Sequence, residues 1–273
     1  MYIDDRSDFG TYKPKKIVTV IIKITRSIGQ SWVAKRIIFF LRRIALLFSK
    51  ECVDTSLFNC KMRLYTKGNV CEKRALFAPQ IFESYERDFI CKNAKDGSTF
   101  IDIGSNVGLY SLSVGDSYKS FKETKIHSIE PHPKLFQRLL YNSSLNPNIP
   151  IKTHNFAIMD KNEEFYLNVD EDNLGQSTVS DSGKINVEGK TLENFIHDQN
   201  IKKITTLKVD VEGNEEKVIL PFLKEENREL FPEIIIIENN KLSWDEDLIE
   251  LLVNFGYSLN KKTRMNYILT LHK

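Results

Sequence analysis

The sequence predicts an α/β domain built on a mostly parallel sheet, and three observations predict it. From Thr99 onward, short β-branched runs alternate with helical patterns, as right-handed βαβ crossovers require. Four of those runs end on an acid: Asp102, Glu130, Asp210 and Glu238. The first run, Thr99 to Ile103, enters a glycine turn, Gly104 to Gly108, with a helix expected from Val107. Ligands in such sheets bind at the carboxyl ends of the strands.

Residues 1–16 read as a frayed tail, and the apolar run Ile17 to Ile24 suits either strand or helix. Residues 31–50 predict an amphipathic helix. Lys35, Arg36, Arg42, Arg43 and Lys50 fall on one arc, and Val33, Ile37, Phe40, Leu41, Ile44, Leu47 and Phe48 lie opposite, with Phe39 and Leu46 inside the basic arc. Its charges rule against a spanning helix. Such a helix packs on the body or a second subunit, or lies on a membrane surface, and the pattern leaves these open. Residues 51–95 form a lead-in: strand-like pieces such as Lys61 to Tyr65 around a turn at Lys67 to Asn69, then a helix over Gln80 to Lys92.

Residues 96–273 form the main domain. Its predicted strands are Thr99–Ile103, Lys125–Ile129, Ile151–Phe156, Thr206–Val209 and Ile234–Ile237, with Tyr257–Asn260 and Asn266–His272 as a closing hairpin. Helices are expected over Pro133–Asn142, Leu192–Gln199, Glu215–Leu223 and Asp245–Phe255. The polar stretch Asp160 to Gly189 shows one strand, Glu164 to Val169, then a loop at Asn173 to Thr178.

Among 273 residues the formal net charge is +2, which argues against a nucleic-acid partner. That total hides a basic leader, net +8 over residues 1–50, on a body of net −6. Cys52, Cys60, Cys71 and Cys91 have no zinc-site spacing, so they read as reduced thiols and no metal ligand is assigned. The first sixteen residues lack the apolar core of a secretory signal, so a cytoplasmic protein is expected, with residues 31–50 as its one candidate membrane contact.

Two cofactors compete for the turn. A dinucleotide fingerprint needs G-x-G-x-x-G, whereas this turn keeps only G-x-x-x-G behind an acid. Asp102 repels a pyrophosphate and suits an ammonium group. Glu130, 22 positions beyond Gly108, can accept both hydroxyls of a ribose diol. The chemistry favours S-adenosylmethionine over NAD.

Three segments then carry a resemblance. Phe100-Ile-Asp-Ile-Gly-Ser-Asn-Val-Gly-Leu-Tyr110, Ser128-Ile-Glu-Pro-His-Pro133 and Leu207-Lys-Val-Asp-Val-Glu-Gly-Asn-Glu215 resemble the signature segments of FkbM-type methyltransferases. The resemblance runs from about Lys61 to the C-terminus and leaves residues 1–50 outside. It implies a class I, Rossmann-like fold with a seven-stranded sheet, S-adenosylmethionine as donor, and O-methylation of small hydroxylated acceptors, commonly sugars or polyketide-type products; a sugar of a surface glycan or glycolipid is the acceptor expected here. Cofactor contacts are expected from Asp102, Gly104, Ser105, Asn106, Gly108, Glu130 and Pro131, with Asn155 and Ala157 bordering the adenine. Ser177 and Glu238 are expected to face the acceptor. Asp210 and Glu212 are the candidates for base or acceptor-orienting group, with His127, His132 and His154 as alternative bases. Glu212 or Glu215 has a second reading as cap of the following helix. Asp210, Glu212 and Glu238 also offer the oxygens that a hard cation takes, so metal dependence stays open. A NAD-linked reductase and a non-catalytic binding protein are the competing readings.

Overall fold

A computed structural model describes residues 4–180 and 182–272; residues 1–3 of the expected tail lie outside them. Helices α1 (Lys16–Ser27) and α2 (Trp32–Phe48) precede a hairpin, β1 (Cys52–Leu57) and β2 (Cys60–Tyr65). Two short helices follow, α3 (Val70–Phe77) and α4 (Ser84–Lys92). The body begins with β3 (Thr99–Ile103), α5 (Leu109–Tyr118), β4 (Lys125–Ile129), α6 (Pro133–Ser144) and β5 (Ile151–His154). An insertion carries β6 (Ala157–Ile158), β7 (Glu164–Asn168), β8 (Thr178–Ser180) and β9 (Ile185–Lys190). The alternation resumes with α7 (Leu192–Asp198), β10 (Thr206–Val209), α8 (Glu215–Ile219), β11 (Ile234–Glu238), α9 (Leu248–Asn254), β12 (Tyr257–Lys262) and β13 (Asn266–Leu271).

The main sheet has seven strands in the order β12-β13-β11-β10-β3-β4-β5. Strands β3, β4, β5, β10 and β11 pair in parallel, and β13 inserts between β11 and β12 antiparallel to both. Alternate residues feed two cores. Phe100, Ile126, Ile236 and Ile268 pack toward α5 and the N-terminal elements. Ile101, Leu207, Ile235 and Leu269 pack toward α7, α8 and α9. Strands buried on both faces explain the near-continuous apolar runs. Strand order reverses between β3 and β10, so the crevice there is the place for a ligand.

Four expectations need correction. Residues 4–12 are not frayed: Arg63, 1% exposed, donates to the carbonyls of Asp4 and Asp8 at 3.0 Å while pairing with Asp54. A buried guanidinium has five donors to satisfy, and this strand of chain supplies acceptors. The hairpin turns at Phe58-Asn59, both at positive φ, not at Lys67 to Asn69; Asn69 instead caps α3 through the amides of Cys71 and Glu72. The stretch 157–190 is a four-stranded sheet, β6-β9-β7-β8, over a small core of Phe165, Leu167 and Val187. The Ile185/Val187 alternation of β9 carried that signal. Finally, α2 buries only part of the predicted apolar face, at Leu41 and Ile44; it packs mainly through Ala34, Ile38 and Ala45. The two alanines let the helix lie close, and Ala45 joins the same core as β3 and α5.

Candidate active site

A cavity of about 370 Å³ opens at the carboxyl ends of β3, β4, β10 and β11. Its lining brings together Asp102, Gly104, Ser105, Asn106, Glu130, Pro131, Ser177, Asp210, Glu212 and Glu238. The four strand-end acids therefore share one space.

The glycine turn works differently from the sequence expectation. A Cβ on Gly104 would stand 1.8 Å from the Asp210 carbonyl oxygen, and φ is +76°, so the close approach of β10 requires glycine. The first three amides of the turn are already engaged within the protein. Gly104 and Ser105 both donate to the Ile129 carbonyl at 3.0 Å, and Asn106 donates to Glu130 at 2.8 Å. Gly108, at φ +84°, caps α5 from outside the lining; a Cβ there would meet Leu139 at 2.8 Å.

Asp102 is fully buried. Its Oδ2 accepts from Ser111 at 2.6 Å, and Ser111 accepts from Ser128 at 2.6 Å. Its Oδ1 has no hydrogen-bond partner among the described residues, and neither has the Ser105 hydroxyl. Both residues line the cavity, where buried polar atoms call for a ligand. Glu130 takes one amide on each oxygen, from Asn106 and His132 at 2.8 Å. A carboxylate has about four acceptor sites, so two remain. Burial lifts Glu130 to about 8 against the pull of those amides.

Lys208 is the residue that sequence reasoning missed. It sits on β10 opposite Asp102, 2% exposed, with Nζ 2.8 Å from Asp210 and 3.8 Å from Asp102, and 4.6 Å from the Tyr110 ring centroid. Burial alone would lower its pKa, but Asp210, Asp102 and Glu83 outweigh it and keep the ammonium charged. The signal was a lysine between Leu207 and Val209 in a buried strand, which demands a carboxylate partner. Tyr110 donates to Glu83, which also lines the cavity; nothing in the sequence marked that pair.

Across from the turn, Asp210, Glu212 and Glu238 each bring an oxygen within 4.8 Å of the others. Burial, then the charges of Asp210 and Glu215, raises Glu212 to about 7. Burial, then Asp210 and Glu212, raises Glu238 to about 9. Glu212 has φ +54°, in the left-handed region. Of the two capping candidates, Glu215 holds the turn: it accepts from the amides of Val211 and Gly213 at 3.3 and 3.1 Å, and from the Trp244 indole at 2.8 Å. That leaves Glu212 to line the cavity.

Other expected residues separate from the site. Asn155 and Ala157 do not line the cavity; Asn155 props the carbonyls of Glu130 and Pro131 at 2.8 and 3.1 Å, and Ala157 is buried in β6. Among the histidines, only His132 reaches the lining. His127 and His154 stack on each other against Phe195, on the far face of the sheet. Burial holds them neutral, at about 3 and about 4. The loop from Asn173 to Ser177 closes over the turn: Leu174 donates to the Gly68 carbonyl at 2.9 Å, and a Cβ on Gly175 would meet Asn106 at 2.8 Å.

A model of the "Methyltransferase FkbM domain" matches residues 102–259. The chain is 24% identical over 164 residues to "Methyltransferase 1" of Beauveria bassiana (strain ARSEF 2860), covering 52% of this chain and 64% of that protein. It therefore spans less than two thirds of that relative's length. Its fold is similar to the crystal structure of Methyltransferase FkbM from Methylobacillus flagellatus KT, with TM-score 0.44 and 15% identity over 74% of this chain and 54% of that one. It is also similar to Precorrin-6y C5,15-methyltransferase from Geobacter metallireducens GS-15, with TM-score 0.43 and 12% identity over 72% and 89% of the two chains.

Proposed function

The chain belongs to the FkbM methyltransferase family, and from that membership we propose that it moves a methyl group from S-adenosylmethionine to a hydroxyl of a small acceptor, a sugar of a surface glycan or glycolipid. One observation carries the donor assignment: Asp102 Oδ1, which no hydrogen bond reaches, and the Glu130 carboxyl, which takes one amide on each oxygen, line the same cavity. Asp102 would take the methionyl ammonium and Glu130 the ribose diol. The bound donor supplies a methyl on a sulfonium. NAD fits less well, because the amides that would meet a pyrophosphate are already bonded to Ile129 and Glu130.

The chain's own residues do three things. Lys208, charged and buried, holds Asp102 and Asp210 in register across β3 and β10. Glu212, poised near neutral pH, accepts the proton of the acceptor hydroxyl, a role commonly worth about 10²–10⁴-fold. Ser177 and Glu238 line the same cavity and would orient the acceptor toward the donor's methyl group.

Asp102→Asn should weaken S-adenosylhomocysteine binding by roughly 10- to 150-fold, the value of a hydrogen bond to a charged group. Calorimetry checks this; unchanged affinity would remove Asp102 from the donor site, and no binding by folded wild type would favour a non-catalytic protein. The three carboxylates also have the spacing of a cation site. We assign them proton chemistry because Lys208 already supplies a counter-charge to Asp210. Methyl transfer should therefore persist in EDTA, and a loss restored by Mg²⁺ would reassign the cluster to a metal.

A further inference from the structure

From Phe9 to Lys50 the chain carries ten lysines and arginines and no acid. Helices α1 and α2 pack against each other in that stretch. Of the seventeen large hydrophobic side chains exposed among the described residues, ten belong to these two helices. On α1 they are Ile17, Val20 and Ile24. On α2 the most exposed are Trp32 (67%), Phe40 (63%) and Leu47 (78%). Beyond the buried Ala34, Ile38 and Ala45 and the partly buried Leu41, Ile44 and Leu46, the remaining large side chains of α2 face solvent. Cations stand among the apolar groups: Lys16 and Lys23 on α1, and Lys35, Arg36 and Arg43 on α2, are exposed, and the Arg36 guanidinium lies 4.2 Å from the centre of the Trp32 ring. No helix among the described residues is long and apolar enough to cross a membrane.

We propose that the exposed face of α1 and α2 docks on an anionic lipid surface, lying in the headgroup region with Trp32, Phe40 and Leu47 inserted. Aromatic and aliphatic side chains interleaved with lysine and arginine are the pattern of interfacial helices. Charge decides against a second copy of the chain as the occupant. A two-fold contact through this face would set cations against cations with no carboxylate from either stretch. Docking also has a consequence that rests on the proposed methyl transfer. A groove of about 550 Å³ between α2, α3, α4 and the 263–265 turn shares Arg74, Phe82, Glu83 and Met265 with the donor cavity. Lys35 and Arg42 of α2 form its outer wall, so an acceptor anchored in the lipid reaches the catalytic acids through this groove.

The test uses the full chain and vesicles of phosphatidylcholine, alone or mixed equally with phosphatidylglycerol. The chain should sediment with the anionic vesicles, less so as salt rises, and show a blue shift in tryptophan emission. The shift reports Trp32, because Trp244 is already buried against Glu215. The triple variant Trp32→Ser, Phe40→Ser, Leu47→Ser should lose vesicle binding by about tenfold or more while keeping its affinity for S-adenosylhomocysteine, since none of the three lines the donor cavity. Equal binding of wild type and variant, or no preference for anionic lipid, would overturn the proposal. So would a solution dimer that the variant dissolves. Failure of S-adenosylhomocysteine to bind wild type would sink the donor assignment and leave the vesicle result standing.

Discussion

Lys208→Met is expected to destabilise the fold by about 3–5 kcal/mol, the cost of leaving buried carboxylates without their cation. Lys208 is 2% exposed and lies between Asp102, fully buried, and Asp210. Methionine fills a similar volume, so the loss reads charge rather than packing. Urea unfolding of the two proteins gives the number. A second readout follows from the same geometry: with the ammonium gone, Asp102 takes up a proton, and S-adenosylhomocysteine affinity falls along with stability. A loss below about 1 kcal/mol would place the pair among weakly contributing ion pairs, and Lys208 would then be an ornament of the site.

Glu212→Gln should lower kcat by about 10²–10⁴-fold with little change in S-adenosylhomocysteine affinity. The amide keeps the size of the side chain and removes the base. The pH profile gives the sharper result. Glu212 ionises near 7, so wild-type activity should rise as pH climbs through that value and fall as the carboxyl reprotonates below it. In the variant that rise should vanish. Retention of a rise near 7 would transfer the role to another member of the cluster, and Asp210→Asn is the next variant to measure. Asp210 is the weaker candidate because its Oδ2 already accepts from the Lys208 ammonium at 2.8 Å.

Much of the donor half of the site was legible from residues alone. The acid-then-glycine order at Asp102 to Gly108 and the distant Glu130 name strand ends, and strand ends in a parallel sheet converge. The acceptor half was less legible. Lys208 is three-dimensional in its meaning: its partner Asp102 lies more than one hundred positions away and meets it only through β3–β10 register. Asn155 and Ala157 fall outside the cavity lining for a similar reason, since the chain leaves the main sheet after His154 to start the insertion. Tail and insertion were misread because their partners, Arg63 for residues 4–12 and Phe165 for Gly189, are distant in sequence or require a known sheet.

By itself the sequence determined the period of the main-sheet elements, the acids that end four strands, and the glycines that close approach demands. Those are local properties, set by side-chain shape and backbone freedom within a few residues. Only the tertiary structure decided how the turn's amides are spent, which oxygen of Asp102 is left over, and which of Glu212 and Glu215 faces the cavity. It also decided that α2 packs mainly through Ala34, Ile38 and Ala45 and leaves Trp32, Phe40 and Leu47 exposed. Hydrogen-bond satisfaction and burial are properties of the whole packed molecule, and no window of sequence contains them.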